Sequence, residues 1–258
     1  MKTLPILNSM LVLASGAGLS AQQANAQQKP HIILIMSDQH RADALGCMGN
    51  ESVISPNIDQ LSREGTLFCN GYSSTPSSTP ARAGLLTGMS PWHHGMLGYG
   101  RVAEEYKYEM PAMLTEQGYY TFGIGKMHWF SQKALHGFQG TLIDESGRAE
   151  SKDFISDYRL WLQLQMPGGD PDLTGIGWNE HRAGIYKLPE ELHPTAWTGK
   201  MACELIRNYD NEKPLFLKVS FARPHSPYDP PQRLLDEYSD KGEFYQFNLS
   251  SCIRQQNS

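Results

Sequence analysis

The chain has 258 residues, of which 40% are hydrophobic and 19% charged, with a formal net charge of −5. That length supports one sizeable domain with its own core, and the balance excludes a disordered chain or one embedded in a membrane through its bulk. The acidic balance leaves no basic footprint, which argues against nucleic acid as a partner.

Met1-Lys2 opens the chain with positive charge, and Leu4 to Ala21 is mostly apolar and small. Ala24-Asn25-Ala26 then offers a small-x-small cleavage site. This layout predicts a secretory signal peptide over residues 1–26, with Gln27 starting the exported form, in the periplasm or outside the cell. The apolar run is too interrupted for a stable membrane span. Cys47, Cys69, Cys203 and Cys252 show no C-x-x-C spacing, and no disulfide pairing is singled out.

The apolar run His31 to Met36, ending at Ser37-Asp38, predicts a central strand buried on both faces. Ser55-Pro56-Asn57 reads as a helix start, with Ser55 as cap, and Gly65 closes that helix. Thr66 to Tyr72 reads as a second strand, and Arg82 to Thr87 as a helix ending at Gly88. Met110 to Gln117 predicts a short helix stopped by Gly118, followed by a strand from Tyr119 to Gly125. Residues 131–194 carry little pattern, with loops at Pro167-Gly168-Gly169 and Asp170-Pro171. Helical spacing returns from Thr195 to Tyr209, and Pro214 to Phe221 is a clear strand. Alternating strands and helices predict an α/β fold, a mostly parallel central sheet flanked by helices. Ligands of such sheets gather beyond the carboxyl ends of the strands. Asp38, Lys126 with His128, and His225 all lie just past such ends and are expected to converge.

Ser78-Thr79-Pro80-Ala81-Arg82 leads into Ala83-Gly84-Leu85-Leu86-Thr87-Gly88. By itself this is a helix start with proline in its first turn. It also closely resembles the type I sulfatase motif, Cys or Ser, x, Pro, x, Arg, then a small-residue helix and Leu-Leu-Thr-Gly. The five-residue core alone is expected by chance in roughly a few per cent of chains this long; the extension in register makes coincidence improbable. Gly125-Lys126-Met127-His128 resembles the family's Gly-Lys-x-His, and Pro224-His225-Ser226-Pro227 its Pro-His-x-Pro.

The resemblance implies an alkaline-phosphatase-like fold and a sulfate ester hydrolase acting on a sulfated carbohydrate, small molecule or aryl ester. Ser78 would be oxidised by a sulfatase-maturating enzyme to formylglycine, whose hydrate attacks sulfur and later releases sulfate from a covalent intermediate. A helix N-terminus suits an anion at that place. Arg82 would hold the diol, Lys126 would neutralise the sulfate, His128 would accept a proton, and His225 would contact the leaving oxygen. Histidine suits such work because its ordinary pKa lies near neutrality. Asp38, Gln39 and the modified Ser78 would be ligands of a divalent cation, Ca2+ or another such as Mg2+. Family members often carry Asp-Asp where this chain has Asp38-Gln39, and an amide oxygen coordinates without charge. His93, His94 and His193 are assigned no catalytic role.

The same resemblance places further metal ligands and a lysine on a later strand, followed by a smaller domain. Nothing after His225 offers them, and the tail over residues 242–258 loses pattern. The expectation is an incomplete N-terminal catalytic domain over residues 30–241 in a truncated or frame-shifted product. Two alternatives stand beside the sulfatase: a phosphoester hydrolase of the same superfamily using unmodified Ser78, and an inactive remnant.

Overall fold

The structure is a computed structural model that describes residues 29–239. The expected signal segment and the tail from Gly242 lie outside the described residues. Four strands form one sheet in the order β1-β4-β2-β3, with every ladder parallel. They are β1 (Ile32–Asp38), β2 (Tyr120–Gly125), β3 (Gly140–Ile143) and β4 (Leu215–Pro224). The helices are α1 (Pro56–Glu64), α2 (Ser78–Thr87), α3 (Pro91–His94), α4 (Met110–Glu116), α5 (Asp157–Gln165), α6 (Pro194–Arg207) and α7 (Gln232–Asp236). The α/β reading therefore holds. Among the described residues, no helix is long and apolar enough to cross a membrane.

Side chains of a strand alternate between its faces, and on β4 the alternation separates two layers. Leu215, Leu217 and Val219 join Ile124 and Ala202 of α6 in one apolar cluster. Phe216 faces the other way and joins Leu86 of α2 with Met127, Trp129 and Phe138. Helix α6 buries Trp197, Thr198 and Ala202 along one stripe, the i, i+1, i+5 spacing of an amphipathic helix. His193 caps this helix, its Nδ1 accepting from Thr195 N at 3.2 Å, a structural role.

The register aligns the carboxyl ends of the strands. Ser37 lies opposite Phe221, Gly125 opposite Ser220, and Gly125 opposite Ile143. Asp38, Lys126, Asp144 and His225 consequently leave the sheet at one edge.

Three expectations need correction. β1 is apolar on both faces but not buried on both. Among the described residues it pairs only with β4, and Ile33 and Ile35 are exposed, Ile35 by 63%. Its composition records surface that these residues do not cover. Thr66 to Tyr72 is not a strand; Leu67 and Cys69 are half-buried and Phe68 and Tyr72 exposed, an alternation without a ladder. Ser55 does stand at the N-cap position of α1, but its hydroxyl makes no capping bond. It donates instead to Asp59 Oδ1 at 2.9 Å and accepts from Gly46 N at 2.8 Å. The pattern-poor stretch holds β3 and α5, both too short to show a period over many residues.

Gly125 ends β2 with φ +92°, and a Cβ there would lie 2.1 Å from the Ser220 carbonyl oxygen. The left-handed backbone and the close approach to β4 both require glycine. Gly125→Ala should therefore cost roughly 3 kcal/mol and lower the unfolding temperature by about 6–12 °C. Thermal denaturation checks this; an unchanged midpoint would mean that the β2–β4 junction relaxes freely.

Candidate active site

Three of the singled-out residues meet beyond the sheet edge. Asp38 Oδ2 lies 2.5 Å from Lys126 Nζ and 3.6 Å from Arg82 Nη2, and all three side chains are buried. Arg82 reaches them from α2, donating through Nη1 to the Lys126 carbonyl at 2.7 Å and to Ser220 Oγ at 3.2 Å. One guanidinium thus ties α2 to the ends of β1, β2 and β4. At that distance the Lys126 amine neutralises Oδ2. Burial pushes the Asp38 pKa up, but Lys126, Arg82 and His225 outweigh it and hold the carboxyl below its usual range. Burial lowers Lys126 in turn, against the pull of Asp38.

Ser78 opens α2 at its first helical position, after Ser77. It lines a cavity of about 390 Å³ together with Asp38, Arg82, Tyr72 and Ser74. Helix α2 spans ten residues, so its unpaired N–H groups give this cavity a positive wall. Thr79 secures that end, accepting from Gly100 N at 3.2 Å.

His128 is 4% exposed, has φ +63°, and neither ring nitrogen has a hydrogen-bond partner. Tyr99 meets its ring edge-on at 6.0 Å. Burial first, then Lys126, Arg148 and Arg82, push its pKa down to about 3. Neutral pKa, the property that recommended a histidine here, is not what this one has. The imidazole is neutral across the physiological range, a form that can accept a proton. His225 is half-buried; its backbone N–H donates to the Asp38 carbonyl at 3.1 Å. Its Nδ1 lies 3.1 Å from the Ser226 carbonyl, which can only accept, so in the neutral ring Nδ1 carries the hydrogen.

Gln39 is exposed with φ +58° and does not line the cavity. For a hard cation, the buried Asp38 carboxylate fits a ligand role, and Ser78 lines the same cavity. Such a cation takes several oxygen ligands. Among the described residues, no group of three or more His, Cys, Asp or Glu side chains gathers. The residues present fit part of a cation shell.

Sequence reading missed Glu145. This carboxylate, 2% exposed, follows β3 and accepts from Met127 N at 3.0 Å and His128 N at 2.7 Å through Oε1. Its Oε2 accepts from Arg148 Nη2 at 2.6 Å, and Arg148 also donates to the Trp129 carbonyl at 3.3 Å. Recognising β3 would have revealed it, because the residues after that strand fall at the same sheet edge. Glu145→Ala strands two buried N–H groups and should cost roughly 2–4 kcal/mol. Glu145→Gln keeps an acceptor and should cost less. Urea unfolding, with the His128 ring proton shifts as a local reporter, tests the clamp. Parent-like stability and shifts in Glu145→Ala would remove it.

The sulfatase family model matches residues 30–249. An arylsulfatase of Clostridium perfringens is 38% identical over 226 residues, 83% of this chain and 47% of that protein. A phosphonate monoester hydrolase of Agrobacterium radiobacter superposes with a TM-score of 0.67 at 23% identity, covering 85% of this chain and 45% of that one. A structure solved in complex with its substrate D-glucosamine-2-N,6-O-disulfate superposes with a TM-score of 0.60 at 26% identity, over 80% of this chain and 37% of that one. The chain spans less than half the length of each of these proteins.

Proposed function

The chain belongs to the sulfatase family, and on that premise we propose that its site hydrolyses sulfate esters carried on carbohydrate. The observation that carries the reading is the buried junction of Asp38, Lys126 and Arg82 beside Ser78 at the α2 N-terminus. Arg82 and a helix end line one cavity, with Lys126 held behind it by Asp38, and such a wall suits a small tetrahedral anion. The substrate class is supported by the glucosamine disulfate bound to a structural relative.

In this reading Ser78 occupies the nucleophile position and is converted to formylglycine by a maturating enzyme. Hydrated, that side chain supplies an oxygen nucleophile with a second hydroxyl to expel sulfate. Arg82 fixes its direction from one turn further along α2. Lys126 offers charge to the sulfate oxygens. His128, held neutral, accepts the proton released when the sulfated centre collapses, and His225 faces the leaving oxygen. A divalent cation, when bound, acidifies the nucleophile and polarises the ester. Asp38 and Ser78 would contribute part of its shell; Gln39, exposed and outside the cavity, would join only by turning inward. Export through the predicted signal peptide would place the enzyme in a bacterial periplasm or outside the cell.

The same fold serves phosphonate monoester hydrolysis, and an unmodified Ser78 would favour phosphoester chemistry. Modification of Ser78 therefore separates the two. Co-expressed with a serine-type maturating enzyme, the chain should yield a tryptic peptide ending at Arg82 that is lighter by two hydrogen atoms and reacts with hydrazides. Ser78→Ala should abolish both signals. An unmodified peptide beside a competent maturating enzyme would turn the assignment towards phosphoesters.

A further inference from the structure

Lys218 is a buried charge that the reaction above does not use. It sits on β4 two residues before Ser220, on the face that Ser220 turns to Arg82. Its side chain is only 5% exposed within the described residues. Nζ stands 5.3 Å from the centre of the Trp129 ring, a cation–π contact. Glu145, the carboxylate that acts on it, is engaged with Arg148. Buried charges are ordinarily paired, and an apolar side chain of this volume would stabilise such a slot better than an amine.

We propose that Lys218 is a further anion-binding residue, a buried cation on the Ser220 face of β4 whose charge is balanced only when a sulfate-type anion binds at Arg82. The proposal rests on reading the cavity at Arg82 as an anion site. Arg82 on α2 and Glu145 after β3 act on Lys218 through their charge, and the neutral Trp129 ring after β2 lies under its amine. His136, paired with Glu109, packs tilted against Trp129 with ring centres 4.5 Å apart. β1 contributes the apolar Leu34 beside it in the ladder. Burial, then Arg82, push the amine down to about 7, while Glu145 pulls it back up. In the empty site at pH 8 most of the amine is neutral. An arriving anion favours the charged form and raises that pKa, so anion binding should take up a proton.

Calorimetric titration of the full chain with inorganic sulfate, at pH 8 in two buffers of different ionisation heat, measures this uptake. The parent should gain protons on binding. Lys218→Met should lose that uptake and, at pH 6, bind sulfate about tenfold more weakly, as expected for one unit charge at partly screened range. It should also unfold at a higher temperature than the parent, because the depressed amine costs stability wherever the unfolded lysine is protonated. That gain should be full below about pH 7 and fade towards pH 10. Higher stability with weaker binding is a combination that a purely structural lysine does not give. Lys218→Arg, permanently charged, should keep the affinity and lose the proton uptake; it decides the matter should the methionine variant fail to fold. Equal affinity and equal uptake in the parent and either variant would overturn the role of Lys218 alone. No sulfate binding by the parent at either pH would overturn the anion site and this role together.

Discussion

Asp38 lies between two buried cations, and much of the site's order follows from that contact. Its carboxylate touches Lys126 and lies near Arg82, and without it two positive charges would share a buried space with no near counter-charge. Removing one partner of such a group costs far more than the group contributes as a whole. The backbone carries the same arrangement: the Asp38 carbonyl accepts from His225 N, and the Lys126 carbonyl accepts from Arg82. The ends of β1, β2 and β4 are thereby fixed against one another and against α2. Parallel strands bring four distant segments to one edge, and the charges lock them there.

The fold was legible where the residues carried long or punctuated patterns. The strand before Gly125, the helix from Pro194 and the strand from Leu215 each combine an apolar period with a glycine or proline boundary. β3 and α5 were not legible: β3 has four residues, and α5 starts without the proline that marked the other helix starts, though both bury apolar side chains. The Asp157 carboxylate at the start of α5 accepts from Ile143 N at 2.7 Å, at the end of β3. No hydrophobic period records a bond of that kind. The expected strand over Thr66 to Tyr72 failed for the opposite reason, since its alternation is present but no neighbour completes a ladder.

Motifs placed Asp38, Ser78, Arg82, Lys126, His128 and His225 near one another, and the structure accounts for the spacing. Gly125 permits the approach to Ser220, so that Lys126 turns towards Asp38 and not along the strand. His128 then adopts a left-handed backbone that a histidine seldom takes, and Glu145 holds it by bonding two successive N–H groups. The motif therefore names Lys126 and His128, while the residue that poses them lies outside it in a segment without pattern. Lys218 escaped notice for a related reason: within an apolar strand, one lysine looks like an interruption unless the opposite helix is known to bring an arginine.

Met36 and Asp38 line the cavity beside α2, while Ile33 and Ile35, on the alternate positions of the same strand, stay exposed. β1 thus presents two unmet demands at once. In the proposed reading its carboxylate would offer one charged ligand to a hard cation that takes several oxygens, and its outer residues offer apolar surface that nothing among the described residues covers. Both demands fall on the strand that is paired on one side only. An element that continued the sheet beyond β1 would run its own carboxyl end, if parallel, past Asp38. It would bring ligands and apolar cover in the same step, because parallel neighbours deliver their strand ends to a common edge. The completeness of the cation shell and the burial of β1 are one structural question.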